Sequence, residues 1–175
     1  MSAPATLVLG GQRSGKSAYA ERLVEARPGA CVYLATAEAY DGEMARRIAE
    51  HKARRGHRWS TVEEPLDLPG ALAEAAGPGR TVLVDCLTLW LSNLLGRERD
   101  VAEARSLLCD VLAGLQGPAV IVSNEVGLGV IPDNKLARAF VDEAGRLHQA
   151  VAATAARVVF VTAGLPRTLK DTARA

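Results

Sequence analysis

Leu7-Val8-Leu9-Gly10-Gly11-Gln12-Arg13-Ser14-Gly15-Lys16-Ser17 is a short apolar run that breaks into a glycine-rich turn and closes on Lys-Ser. Gly10, Gly15, Lys16 and Ser17 satisfy the spacing G-x-x-x-x-G-K-S. This spacing predicts a buried strand, then a loop whose backbone N–H groups converge on a phosphate, then a helix whose N-terminal dipole favours the same negative charge. Lys16 would reach the β- and γ-phosphates and the Ser17 hydroxyl would ligate Mg²⁺. A glycine-rich turn that binds nothing would need neither the strand before it nor the helix after it, and both are present.

Outward from this loop, residues 15–27 read as a helix with Ala20, Leu23 and Val24 on one face, stopped by Pro28-Gly29. Residues 30–35 (Ala-Cys-Val-Tyr-Leu-Ala) form a second strand. Strand, phosphate loop, helix and strand make a βαβ unit, which predicts an α/β fold: a mostly parallel sheet with helices on both faces. Ala35-Thr36-Ala37 leaves the carboxyl end of the second strand, where ligands bind in open α/β sheets. A helix follows from Asp41 to Arg55, with Met44 and Ile48 in a narrow buried stripe. On its polar side Arg47 and His51 are four apart, and Arg54 and Arg55 follow His51 by three and four. Two readings stay open for that side. It is a solvated face with Glu43–Arg47 and Glu50–Arg54 pairs, or a histidine kept neutral and nucleophilic by the guanidinium groups around it.

Residues 59–63 read as an edge strand ending on Glu63, and residues 66–76 as a small helix. Residues 81–85 form an apolar strand with Asp85 at its carboxyl end, where an acid of a phosphate-loop protein holds Mg²⁺ directly or through water; a strand-terminal aspartate that caps the next helix is the other reading, and both can hold. Residues 86–95 are apolar for a helix, so Trp90 belongs either to the core or to a subunit contact. Residues 101–115 predict an amphipathic helix with Leu107, Leu108, Val111 and Leu115 inward. Strand 119–123 empties into Asn124-Glu125-Val126-Gly127-Leu128-Gly129-Val130-Ile131-Pro132, a loop read as site-lining or as a turn with special glycines. Asp133 or Asn134 then caps a helix to about residue 156, with Leu136, Phe140, Ala144, Leu147 and Val151 inward. Residues 157–163 are a last strand, and the polar tail after Pro166 is expected to be loose.

At 175 residues with no linker or repeat, the chain is expected to be a single domain, residues 1–175. A net charge of +1 with few aromatics argues against a nucleic-acid partner. The longest apolar stretch, residues 82–91, is interrupted by Asp85, so no membrane span is expected. The first residues lack the charged region of a signal peptide. Cys31, Cys86 and Cys109 fit neither a zinc spacing nor a disulfide framework and read as reduced thiols of a cytoplasmic protein.

The chain resembles a known family, the bifunctional adenosylcobinamide kinase and adenosylcobinamide-phosphate guanylyltransferase of cobalamin biosynthesis. The resemblance rests on residues 10–17, on Glu43-Met44-Ala45-Arg46-Arg47-Ile48 with His51-Lys52, on Trp59 followed by Glu63, and on residues 123–132 with 134–138. It implies a phosphate-loop sheet like that of RecA and a homo-oligomer, with a trimer suggested. It implies that His51 is the nucleophile that becomes guanylylated. It places nucleotide contacts on Gly10, Gly11, Gln12, Arg13, Ser14, Gly15, Lys16 and Ser17, on Ala35, Thr36 and Ala37, on Lys52, Ala53, Arg54 and Arg55, and on Glu63 and Asp85. ATP or GTP would phosphorylate adenosylcobinamide with Lys16 and Mg²⁺ stabilising the charge, Ser17 and Asp85 holding the metal, and GTP would then supply GMP through His51. A plain small-molecule kinase with His51 on the surface, a GTP-binding switch and a RecA-like motor are the competing readings. The switch is disfavoured because Asn134-Lys135 is followed by Leu136-Ala137 and lacks the aspartate of a guanine-reading motif.

Overall fold

The computed structural model describes residues 5–37 and 56–172. The predicted helix over residues 41–55, and with it His51, Lys52, Ala53, Arg54 and Arg55, lies outside the described residues. Among the described residues seven strands are present: β1 (Ala5–Gly10), β2 (Ala30–Ala35), β3 (Trp59–Glu63), β4 (Arg80–Asp85), β5 (Ala119–Asn124), β6 (Arg157–Thr162) and β7 (Leu165–Asp171). They form one sheet in the order β3-β2-β4-β5-β1-β6-β7. Every pairing is parallel except β6 with β7.

The aliphatic runs of β1, β4 and β5 are continuous because both faces of the sheet are covered, and their period of two divides them between two cores. Leu7, Leu9, Leu34, Val82, Val84 and Ile121 point to one face, and Val8, Tyr33, Leu83, Val120 and Val122 to the other. The first face is packed by α2 (Leu68–Ala75), α3 (Leu87–Gly96), α4 (Val101–Gly114) and α5 (Lys135–Thr154), through Leu72, Leu91, Leu108 and Leu147. The second is packed by α1 (Lys16–Glu25) through Ala20 and Val24. Helix ends follow local chemistry: Asp67, Asp100 and Asn134 cap α2, α4 and α5 by accepting backbone N–H bonds.

Trp90 is core: it is buried on α3 and its indole N–H donates to the Leu66 carbonyl at 2.8 Å. Three expectations are corrected. Leu107 is half exposed, and Leu112, one turn beyond Leu108, takes the inward place on α4. Leu136 is 72% exposed, because α5 meets the sheet only from its second half, where Ala144, Leu147, His148 and Val151 are buried. The tail after Pro166, expected to be loose, is ordered as far as Asp171, where it forms β7. Ala163 and Gly164 both take left-handed φ values, 50° and 78°, and this tight turn pairs Thr162 with Leu165 to fold the tail back on β6.

Candidate functional site

Strand β1 ends at the loop Gly10–Ser17, whose shape is set by close packing. A Cβ on Gly10 would lie 2.5 Å from Ser14 Oγ and 2.6 Å from the Val161 carbonyl oxygen, so only glycine fits there. Gly15, at φ 91°, is the N-cap of α1 and packs against the β6–β7 turn, whose Gly164 N–H donates to the Ser14 carbonyl at 2.8 Å. Arg13 is also left-handed, at φ 57°. α1 begins with no side-chain cap and no acidic residue in its first turn, so its leading N–H groups and dipole point into open space. Lys16 folds back over the loop, its Nζ donating to the Gly11 carbonyl at 3.0 Å. The Ser14 hydroxyl is buried with no hydrogen-bond partner among the described residues.

This loop forms one wall of a cleft of about 510 Å³, which residues 12–18 share with Tyr33, Ala37, Asp85, Cys86, Leu89 and Asn124. The strands converge here because β4 and β1 flank β5, with Asp85 level with Val122 and Gly10 level with Asn124. The Asp85 carboxylate is oriented by the Tyr33 hydroxyl, which donates to Oδ2 at 2.8 Å. The Asp85–Cys86 peptide is cis. Thr36 is fully buried and ties β2 to the start of α3: its hydroxyl donates to the Cys86 carbonyl at 2.8 Å and accepts from the Cys86 N–H at 3.0 Å. Asn93 completes the tie by donating to the carbonyls of Thr36 at 2.7 Å and Pro65 at 3.1 Å. Across the cleft the Asn124 amide donates to Thr88 Oγ1 at 3.1 Å. Burial, with a contribution from the Asp85 charge, pushes the Cys86 thiol up to about 11, so it is a neutral wall of the cleft.

Of the residues expected at the site, Gln12 to Ser17, Ala37 and Asp85 face one cleft. Gly10 and Gly11 shape the loop, Ala35 is buried in β2, and Thr36 braces the cleft from behind. Glu63 lies instead at the carboxyl end of the edge strand, level with Ala35, beside a second groove of about 460 Å³ between β3 and α2. Tyr33, Asn93 and Leu89 went unnoticed in the sequence. Tyr33 carried a signal, an aromatic two residues from the carboxyl end of an otherwise aliphatic strand. Asn93 carried a weaker one, an amide inside an apolar helix.

A strand, a glycine loop closing on Lys-Ser, a helix pointing its N-terminus into a cleft, and an acid at the end of a neighbouring strand define a phosphate-loop nucleotide-binding protein. Solved structures agree on the fold. The assembled ATPase EscN of the enteropathogenic E. coli type III secretion system matches with a TM-score of 0.58 at 14% identity, covering 92% of this chain and 43% of that one. The flagellar accessory protein FlaH from Methanocaldococcus jannaschii matches with a TM-score of 0.54 at 13% identity, covering 97% and 79%. Residues 6–169 match the family described as cobinamide kinase / cobinamide phosphate guanyltransferase, and the chain belongs to that family. It is 54% identical over 166 residues to the bifunctional adenosylcobalamin biosynthesis protein CobP of Pseudomonas aeruginosa, covering 94% of this chain and 96% of the relative. It is 36% identical over 174 residues to the corresponding protein CobU of Salmonella typhimurium, covering 91% and 96%.

Proposed function

We propose that the protein phosphorylates adenosylcobinamide with ATP or GTP and then transfers GMP from GTP to the product, through a guanylylated His51, giving adenosylcobinamide-GDP and pyrophosphate. The observation that carries this reading is the cleft that joins Lys16, Ser17 and Asp85 in a chain of this family. In the kinase step the N–H groups of residues 12–17 and the Lys16 ammonium take the charge of the β- and γ-phosphates. The Ser17 hydroxyl and the Asp85 carboxylate are hard oxygen donors on one cleft, which fits Mg²⁺ bound by few protein groups and completed by phosphate oxygens. Bound there, Mg²⁺ neutralises phosphate charge. Tyr33 holds the Asp85 carboxylate in place for that role.

In the transferase step His51 attacks the α-phosphorus of GTP, pyrophosphate leaves, and the phosphorylated corrinoid displaces the histidine to take up GMP. Lys52, Ala53, Arg54, Arg55 and Glu63 are assigned to the nucleotide in this step, as the family resemblance implies. The reading includes a homo-oligomer, for which the family suggests a trimer, working in the cytoplasm. No helix among the described residues is long and apolar enough to cross a membrane.

Intact-protein mass spectrometry after incubation with Mg²⁺ and GTP tests the histidine. A GMP adduct on the native chain and none on His51→Ala supports the transferase. No adduct on a native chain that still binds GTP removes His51 from the chemistry and leaves a kinase.

A further inference from the structure

The end of β5 sends three consecutive polar side chains in different directions. Ser123 is fully buried, and its hydroxyl lies 2.7 Å from Nε2 of His148 on the buried stripe of α5. Glu125, the first residue past the strand, is engaged elsewhere: Oε1 accepts the Gly127 N–H at 2.6 Å and Oε2 lies 3.8 Å from His148 Nδ1. Asn124, between them, continues the period of Val120 and Val122 and so falls on the α1 face of the sheet. Of the three, only Asn124 lines the phosphate-loop cleft.

Strand pairing sets its place there. β5 runs between β1 and β4, and Asn124 is level with Gly10, where the phosphate loop begins, two residues beyond the level of Asp85. The amide is also held in orientation. Nδ2 donates to Thr88 Oγ1 at 3.1 Å and lies 3.9 Å from Cys86 Sγ, and those two atoms are themselves 3.2 Å apart. The nitrogen is thus turned to the start of α3, while Oδ1 accepts no bond among the described residues. Nor is that oxygen sealed off: among the described residues the side-chain atoms both buried and unpartnered are Ser14 Oγ and Arg157 Nε. An open amide oxygen on this cleft is an acceptor that needs a donor.

Phosphate oxygens are acceptors themselves and offer it nothing, and the nearby Tyr33 O–H is given to Asp85. The kinase step brings one new donor to the γ-phosphate, the hydroxyl that attacks it. We propose that Asn124 Oδ1 accepts the hydrogen bond of that hydroxyl and orients its oxygen toward the γ-phosphorus, and that Thr88 is a positioning residue that holds the amide in the required sense. The inference rests on the kinase half of the proposed function. An amide oxygen does not take a proton at neutral pH, so Asn124 acts by orientation and not as a base. The hydroxyl oxygen bonds to the γ-phosphorus as the bond from that phosphorus to the bridging oxygen breaks. The electron pair of the broken bond leaves with the nucleoside diphosphate, and the hydroxyl proton is released to water. Formation of the His51–GMP adduct uses no attacking hydroxyl, so it does not call on Asn124.

The two half-reactions therefore give an internal control. Native protein, Asn124→Ala, Thr88→Val and Thr88→Ser are compared for steady-state phosphorylation of adenosylcobinamide by Mg-ATP, over a range of Mg²⁺ concentrations, and for adduct formation with Mg-GTP. Asn124→Ala is expected to lower the kinase kcat by about 30-fold, with the KM for ATP, the Mg²⁺ requirement and the adduct yield all within about 2-fold of native. Thr88→Val, which keeps the volume but not the acceptor, is expected to lower kcat by roughly 5-fold, and Thr88→Ser to restore it to within about 2-fold. A kinase kcat unchanged in Asn124→Ala overturns the proposal. So does an equal loss of both half-reactions, which would mark the amide as structural, or a raised Mg²⁺ requirement in both, which would assign the oxygen to water around the metal. Absence of phosphorylation by the native protein is a distinct outcome that refutes the kinase reading itself and the inference with it.

Discussion

The segments that follow β2 and β5 leave the same edge of the sheet, yet they are built by opposite means. After β2, Thr36 is fully buried and its hydroxyl and carbonyl are engaged by the Cys86 backbone and by Asn93. After β5, the chain carries Leu128, Val130 and Ile131 out into solvent, Val130 at 96% exposure, and it is tied at its two ends by the Glu125 carboxylate, the Asn134 cap and the Arg138 guanidinium, which donates to the carbonyls of Pro132 and Asp133. One segment is a brace, with its polar groups turned inward to hold the cleft wall. The other is a presenting surface, with its apolar groups turned outward beside the phosphate loop. Placing phosphate donors demands fixed geometry, which buried hydrogen bonds provide, and such bonds are costly to break singly. Exposed apolar side chains contribute little to folding, so their energy is available to a bound molecule.

Changes to the cleft itself should have the largest effect. Lys16→Ala is expected to lower the kinase kcat by at least about 100-fold while the melting temperature stays near native, because the ammonium bonds the Gly11 carbonyl of the loop and belongs to neither hydrophobic core. Steady-state kinetics beside a thermal melt would check it. The brace comes next: Thr36→Val keeps the volume but strands the Cys86 N–H, and should cost about 1–3 kcal/mol in urea unfolding. A Thr36→Val protein as stable as native would show that the brace is not held by its hydrogen bonds.

A third effect is pH-dependent. The His148 pKa is lowered in the folded state, so between that value and the ordinary value near ~6.5 the unfolded chain binds the extra proton and the folded one does not. His148 therefore leaves stability intact above about pH 6.5 and erodes it as pH falls through the window below. Urea titrations from about pH 7.5 to about pH 5 should give a shallower loss for His148→Asn than for native protein. Smaller still, Val130→Ser on the presenting surface should move unfolding by less than about 0.5 kcal/mol. A larger loss would mean that the loop packs against something and would erase the contrast. Least of all, timed alkylation should label Cys109 first and leave Cys31 and Cys86 until unfolding, since both are buried and burial raises both pKa values.

Much of this was legible from local signals. β2 and β3 span residues 30–35 and 59–63, the bounds read from the sequence, and the phosphate loop announced itself because glycine is required where its backbone packs on backbone. The packing side of a helix was less legible. Leu107 and Leu112 are both leucines at plausible spacing on α4, and only the angle at which the helix meets α5 and the sheet decides between them. Leu136 extends a perfectly regular stripe past the point where the sheet ends. β7 was missed because Ala163-Gly164 is a weak turn signal and Leu165, Arg167 and Leu169 look like a polar tail until β6 is there to pair with them. The Ser123–His148 contact joins residues whose single letters give no hint that they meet, although His148 stands four after Ala144 on the buried stripe. His51 rests on the family resemblance and on its arginine-rich neighbourhood.

The bond from Gly164 to Ser14 and the close fit of Gly15 against Gly164 join the last turn of the sheet to the first loop of the chain. During synthesis the phosphate loop emerges well before the turn that backs it. A nascent chain therefore carries the nucleotide-binding residues long before it has the support that sets their shape, and nucleotide capture becomes a mark of a chain synthesised through that turn.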